Sequence, residues 1–385
     1  MSKNTVKIVA DENIPALEAM FGADTNMNIS IQRVAGRELT AEQVTDADVL
    51  LVRSITQVNE ALLSTALQLK MVGTATIGVD HIDQVYLQSR DVPFFNAPGC
   101  NADAVVEYVL SIIYNTLFER KLALQELTVG IVGVGNVGGR LYERLRSLGV
   151  SLLINDPPRQ KKGEEGFVDL DIVMQHADIL CLHTPLVQHG EYPTYHLLAE
   201  RELLALKQNV LLINAGRGPV IDNGALLTCM EERNDITVVL DVWEHEPQLN
   251  TSLVAKAMLA TPHIAGYSYD GKLRGTHMLR CRFSEVFGIP QPRPLADYLP
   301  QATINKVKVT NDVAIHDLMN LVYDPYRDDR ALRKTLVEKN QPQLFDLLRK
   351  NYPIRREFSS LSVQGVTDNE KANVLKNLGF TIDIT

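Results

Sequence analysis

The stretch Thr128-Val-Gly-Ile-Val-Gly-Val-Gly-Asn-Val-Gly-Gly-Arg140 constrains the fold more than any other part of the chain. Its first half is a short apolar, β-branched run of the kind that forms a buried strand of a parallel sheet. Glycines follow at 133, 135 and 138, and Arg140-Leu-Tyr-Glu-Arg-Leu-Arg-Ser-Leu148 then repeats leucine at helical spacing. A Gly-x-Gly-x-x-Gly pattern between a strand and a helix is the context that gives the pattern meaning. Gly133 permits the tight turn, Gly135 lets backbone approach a pyrophosphate, and Gly138 lets helix and strand pack closely. The exposed N–H groups of Asn136, Val137 and the rest of the first turn then face the anion. Val150-Ser-Leu-Leu-Ile-Asn155 reads as the next strand, and Asp156 ends it, about 20 residues past the glycines. A carboxylate there accepts from both ribose hydroxyls and repels a 2′-phosphate, so the expected cofactor is NAD.

Short apolar runs recur on both sides of this unit. Lys7-Ile-Val-Ala10, Val49-Leu-Leu-Val52, Lys70-Met-Val-Gly73 and Val92-Pro-Phe-Phe-Asn96 are strands of a first α/β domain, placed at 1–102 with a return over 267–289. Asp178-Ile-Leu-Cys-Leu-His183, Val210-Leu-Leu-Ile-Asn214 and Ile236-Thr-Val-Val-Leu-Asp241 extend the nucleotide domain, placed at 103–266, with helices at 200–206 and 223–232 between them. This βα alternation makes doubly wound parallel sheets, so the fold class is α/β with two Rossmann-like domains. Ile289-Pro-Gln-Pro-Arg-Pro294 is a stiff linker. Beyond it, residues 290–385 read as a small α+β module, with helices at 315–323 and 343–348 and strands at 360–364 and 380–384.

At 385 residues the chain has room for two or three domains. A net charge of −9 argues against nucleic acid or an anionic membrane as the main partner, so an anionic substrate needs a locally basic pocket. There is no 18-residue apolar run and no leader-like N-terminus, and the expectation is a cytoplasmic protein. Cys100, Cys181, Cys229 and Cys281 lack paired spacing and read as small buried hydrophobes, and no metal is expected.

Three loops at strand ends each deliver one ionisable group: Arg217 in Asn214-Ala-Gly-Arg-Gly218, Glu246 in Asp241-Val-Trp-Glu-His-Glu-Pro247, and His263 in Thr261-Pro-His-Ile-Ala-Gly266. With the glycine turn, this order over residues 6 to about 289 resembles the D-isomer-specific 2-hydroxyacid dehydrogenase family, whose catalytic arginine, glutamate and histidine occupy these loops. The chemistry fits the residue types. Oxidising a 2-hydroxy acid removes the hydroxyl proton as hydride leaves the same carbon, and histidine titrates in the range that can accept that proton. Glu246 would orient the ring and stabilise the imidazolium. Arg217 would grip the substrate carboxylate with a planar fork.

By the same resemblance Asp241 and Thr184 lie along the cofactor. A closer likeness to family members with a phosphorylated substrate is carried by Asp11-Glu-Asn13, Val52-Arg-Ser-Ile-Thr-Gln-Val-Asn-Glu60, Gly73-Thr-Ala-Thr76, Ala97-Pro-Gly-Cys-Asn101, His263-Ile-Ala-Gly-Tyr267, Leu321-Val-Tyr-Asp-Pro-Tyr-Arg-Asp-Asp329 and Arg355-Arg-Glu-Phe-Ser-Ser360. It implies that Ser54 and Thr76 bind the substrate, Tyr267 contacts it, Gly266 contacts NAD, and the C-terminal module makes a homodimer. Arg53, adjoining Ser54, adds the cation a phosphate wants. The alternatives are a phosphoglycerate-type substrate one carbon shorter, another D-2-hydroxy acid, or an NAD-sensing corepressor that binds peptides. Substrate is expected between the first domain and the nucleotide domain, with closure excluding water.

Overall fold

A computed structural model describes residues 5–22 and 27–383. Their contacts fall into two units, Met1–Asn101 with Ser268–Gln301, and Ala102–Tyr267 with Ala302–Thr385.

The first unit holds five parallel strands, β1 (Thr5–Asp11), β2 (Asn28–Val34), β3 (Val49–Val52), β4 (Met71–Thr74) and β5 (Phe94–Phe95), in the order β2-β1-β3-β4-β5. β3 and β4 are buried at every position, which is why they read as unbroken apolar runs rather than alternating ones. The edge strand β2 escapes the sequence reading because none of its residues is fully buried and its polar residues interrupt any apolar period. The helix Tyr269–Phe287 lays Leu273, Leu279 and Phe283 into a core shared with Ile8, Phe21, Leu51 and Met71. Its Arg280 is buried and is satisfied by the carbonyls of Met20 (2.8 Å) and Pro290 (3.3 Å) and by the Ser284 hydroxyl.

In the second unit six parallel strands, β6 (Thr128–Val132), β7 (Ser151–Asn155), β8 (Ile179–Leu182), β9 (Leu211–Asn214), β10 (Thr237–Leu240) and β11 (Leu259–Ala260), run in the order β11-β10-β9-β8-β6-β7. The chain steps outward from β6 to β7 and then returns past β6 to β8, so the winding direction reverses between β6 and β8. That reversal is where ligands bind in open α/β sheets. The helix Asn136–Ser147 follows β6 and buries Leu141 and Leu145.

The C-terminal residues add a parallel sheet of β12 (Lys306–Lys308), β13 (Ser362–Gln364) and β14 (Thr381–Asp383), with helices Ile315–Val322, Pro325–Thr335, Gln341–Lys350 and Asn369–Leu378. Ile384, at the end of the last expected strand, lies outside the described residues. This module does not stand off from the nucleotide-binding sheet. Leu318, Met319, Tyr323, Phe358 and Leu361 pack in one core with Val105, Tyr108 and Ile112 of the helix Ala102–Arg120 and with Ile131 of β6. Leu332 and Phe345 enter the core on the other face, with Leu240, Leu253 and Val254.

Candidate active site

The glycine turn has the local geometry its residues require. Gly133 sits at φ 86°, and a β-carbon there would meet the Thr184 nitrogen at 2.7 Å and the His183 carbonyl carbon at 2.8 Å. At Gly138 a β-carbon would fall 2.0 Å from the Gly133 oxygen, so helix and strand touch through backbone alone. A β-carbon on Gly135 meets no protein atom within 4 Å. The helix begins at Asn136 with no side-chain cap, so its first N–H groups remain available to an anion. Asn136 is exposed, while Val137 packs against the core.

Asp156 ends β7 as expected and caps the helix Pro157–Lys161. Its carboxylate accepts from the Val134 N–H (2.8 Å) and the Arg159 N–H (3.2 Å), which fixes it beside the turn. Just past β8, the Thr184 hydroxyl and both His183 ring nitrogens are buried without a protein partner. Burial pushes His183 down to about 4, so its imidazole is neutral near pH 7. Orphaned polar groups beside an uncapped helix and a β-carbon-free turn fit a dinucleotide, which brings its own donors, acceptors and phosphate charge.

The loops after β9, β10 and β11 follow neighbouring strands and therefore share one sheet edge. Gly218 shows how closely two of them press, since a β-carbon there would lie 1.9 Å from the Trp243 oxygen. The Arg217 loop is shaped by buried Asn214, which accepts from the Gly216 N–H (3.1 Å) and donates to the Arg217 carbonyl (3.0 Å). Glu246 accepts from the Trp243 N–H at 2.8 Å and faces His263 Nδ1 at 2.7 Å. Burial works to raise Glu246, but the His263 charge and hydrogen bond, Arg349 and the Trp243 N–H outweigh it and hold the carboxyl below its usual value. His263 keeps 35% side-chain exposure, and with Nδ1 committed to Glu246 its Nε2 is the nitrogen left for chemistry.

Asp241 is fully buried and spends its carboxylate inside the loop that carries His263. Oδ1 accepts from the Thr261 hydroxyl (2.6 Å) and the Ile264 N–H (2.8 Å), and Oδ2 from the Ala265 N–H (2.9 Å). Its own carbonyl takes the His263 N–H at 2.7 Å. Gly266 and Tyr267 complete this loop, with the Tyr267 N–H donating to the Ile264 carbonyl.

Two arginines of the C-terminal module, not anticipated from sequence, reach the same loop. Arg349 lies in the electrostatic field of Glu246 and hydrogen-bonds Tyr267, over whose ring its guanidinium sits at 5.8 Å. Arg355 donates to the Ala265 carbonyl at 3.1 Å. The stretch Arg355-Arg-Glu-Phe-Ser-Ser360 carries part of the family likeness, but nothing local in it points to a loop 90 residues earlier.

In the first unit the loops after β1, β3 and β4 also share an edge. Arg53 is half-buried and donates to the Asn13 carbonyl at 3.4 Å, and Ser54 is exposed beside it. The Thr76 hydroxyl bonds Gly78 (2.9 Å) and Thr74 (2.7 Å), and Thr74 in turn contacts the buried His81 imidazole (3.0 Å). His81 thus serves the loop's internal bonding, and Asp83 caps the next helix through the Tyr86 N–H. All four cysteines are free, and Cys100, Cys181 and Cys229 are buried. Among the described residues the one group spaced to hold a metal is His196, Asp222 and Glu244, but Glu244 already bonds the imidazole at 2.6 Å and Asp222 caps a helix.

Residues 114–265 match the family described as D-isomer specific 2-hydroxyacid dehydrogenase, NAD binding domain, and residues 298–379 match a domain described as of unknown function. The chain is 48% identical over 369 residues to the erythronate-4-phosphate dehydrogenase of Marinobacter nauticus, covering 93% of this chain and 94% of that one. It is 47% identical over 379 residues to the Klebsiella pneumoniae protein of the same name, covering 97% and 98%. Among solved structures, NAD-bound 3-phosphoglycerate dehydrogenase from Entamoeba histolytica superposes with a TM-score of 0.62 at 22% identity, covering 76% of this chain and 99% of that one. D-lactate dehydrogenase from Aquifex aeolicus gives 0.58 at 22% identity, covering 73% and 96%. At that identity the structural likeness speaks to the fold.

Proposed function

We propose, on the premise that this chain belongs to the D-isomer-specific 2-hydroxyacid dehydrogenases and among them to the erythronate-4-phosphate dehydrogenases, that it oxidises 4-phospho-D-erythronate to (R)-3-hydroxy-2-oxo-4-phosphooxybutanoate in the formation of pyridoxal 5′-phosphate (vitamin B6). The observation that carries this reading is the His263–Glu246 pair, 2.7 Å apart at the end of a dinucleotide-binding sheet, in a chain that matches relatives of that name over nearly its whole length.

NAD, when bound, accepts the hydride from C2 of the substrate. Gly133, Gly135, Asn136, Val137 and Gly138 would hold its pyrophosphate, Asp156 its ribose hydroxyls, and Thr184 and Gly266 the remainder of its length. Asp241, expected along the cofactor but buried with both carboxylate oxygens bonded inside its own loop, would serve it by bracing that loop. His263 Nε2 takes the proton from the C2 hydroxyl as the C–H bond breaks and the carbonyl forms. Glu246 accepts from Nδ1–H, which sets the ring's tautomer and offsets the positive charge it gains. Arg217 pairs with the substrate carboxylate. Arg53, Ser54, Thr76 and Tyr267 recognise the rest of the substrate, with the guanidinium of Arg53 set against the phosphate.

The active species is a homodimer joined through the C-terminal module and working in the cytoplasm. Exposed Leu321, Val337, Leu347 and Ile354 on that module support the dimer. No described helix is long and apolar enough to cross a membrane.

The deciding experiment is mass spectrometry of the product after incubation with NAD and 4-phospho-D-erythronate, with D-3-phosphoglycerate as the competing substrate. Loss of two hydrogens from the former at much the greater kcat/KM is expected. Preference for the latter, or peptide binding without turnover, overturns the reading.

A further inference from the structure

His263 adopts a left-handed backbone conformation, φ 57°, which a side chain tolerates only when the surroundings over-determine it. Asp241 supplies one half of that constraint by taking the N–H groups of Ile264 and Ala265. The other half comes from the C-terminal module. Arg355 is 2% exposed, and its fork donates to the Ala265 carbonyl at 3.1 Å and to the Ala104 carbonyl at 2.7 Å, at the start of the helix Ala102–Arg120. The guanidinium carbon lies 3.6 Å from the Tyr323 ring centroid, a stacking that sets the plane of the fork. Tyr323 and Tyr352 are themselves fixed by Asp328, at 3.1 and 2.6 Å. Glu107, buried on the same helix as Ala104, accepts from the Phe358 N–H at 2.8 Å, so the segment around Arg355 is tied down on both sides.

We propose that Arg355 is a positioning residue for the oxidation: by clamping the Ala265 carbonyl to the Ala104 carbonyl it holds the 263–266 loop where His263 meets Glu246. This rests on the reading of His263 as the base. Ala265 gripped only at its N–H by a carboxylate can still turn about its own φ and ψ, and a second grip on its C=O, in the next peptide, stops that. Lysine reproduces the effect only in part, because its ammonium keeps the charge but lacks the planar fork that fixes two carbonyls at once. The module is thereby part of the catalytic apparatus as well as of the core.

The test compares the full-length protein with Arg355→Gln, Arg355→Lys, Glu246→Gln and the double variant Arg355→Gln/Glu246→Gln. Arg355→Gln is expected to lower kcat about 10- to 100-fold, the scale of a misplacement near 1 Å, while NAD affinity, read by fluorescence quenching and set mainly at the 133–138 turn and Asp156, changes far less. Arg355→Lys loses less, and adding Arg355→Gln to Glu246→Gln costs little more, because both act through one imidazole. Amide hydrogen exchange over residues 261–267 speeds up in Arg355→Gln. Unchanged kcat, fully multiplicative losses in the double variant, or unchanged exchange would each overturn the proposal. Should Arg355→Gln fail to fold, wild-type kcat and exchange in Arg355→Lys do the same. Absence of turnover in the wild type strikes the functional reading alone, since the exchange measurement does not depend on catalysis.

Discussion

Holding His263 in a left-handed conformation costs about 1 to 2 kcal/mol for a residue with a β-carbon, and the bonds that Asp241 and Arg355 make to its loop offset that cost. The consequence is an imidazole whose Nδ1 is spoken for and whose Nε2 is not. Replacing His263 by Ala should lower kcat about 10²- to 10⁴-fold, the usual worth of a general base, with the dissociation constant for NAD unchanged by fluorescence titration. Glu246 allows a second prediction at this scale. Its folded-state value lies below the ordinary 4.5, so the native protein prefers the ionised form. The stability this adds is complete above pH 4.5 and is lost as pH falls through the lowered folded value. In chemical denaturation the advantage of wild type over Glu246→Gln should therefore shrink as pH falls from about 4.5 through the lowered folded value. These three loops could be picked out in the sequence because each places a charged or titratable residue among glycines and prolines after a strand. Arg349 and Arg355 could not, because their meaning depends on which loop they touch.

Among the elements, the turn from β6 into its helix does the most with the fewest atoms. Gly135 and Gly138 belong to one motif but answer to different demands, and alanine substitution separates them. Gly138→Ala forces a β-carbon to 2.0 Å from the Gly133 oxygen, so strand and helix must part, at about 1 to 3 kcal/mol, with a lowered melting temperature. Gly135→Ala meets no protein atom. It should keep its melting temperature and instead weaken NAD at least 10-fold in a binding titration, because the methyl occupies the approach of the pyrophosphate. Equal effects of the two on stability would show that the turn is built for packing alone. The strands of both large sheets were legible because their runs are short, β-branched and closed by small or polar residues. β2 and β12 were not, because exposed positions interrupt their apolar pattern.

For the whole molecule, the telling fact is that residues after the proline-rich stretch share their core with the nucleotide-binding sheet. Removing Ala302–Thr385 would uncover Val105, Tyr108 and Ile112, all at most 6% exposed, and take away both arginines that reach the histidine loop. A chain ending at Gln301 should therefore aggregate or lose cooperative unfolding, judged by size-exclusion chromatography and by circular dichroism on heating. A well-folded, NAD-binding truncation would mean that the shared core is dispensable. The sequence by itself determined the α/β class, the dinucleotide turn with its acid, and the three loops that bring arginine, glutamate and histidine to one sheet edge. It could do so because those features are local: a strand, the glycines that follow it and the first polar residue of a loop lie within a few positions of one another, and backbone sterics and periodicity act over that range. Only the tertiary structure decided that Asp241 is spent in bracing the histidine loop, and that the described residues after Gln301 join the core of the second unit. It alone also brought Arg355 to a carbonyl 90 positions away. Such pairings are set by which buried surfaces fit together, and no local pattern encodes that choice.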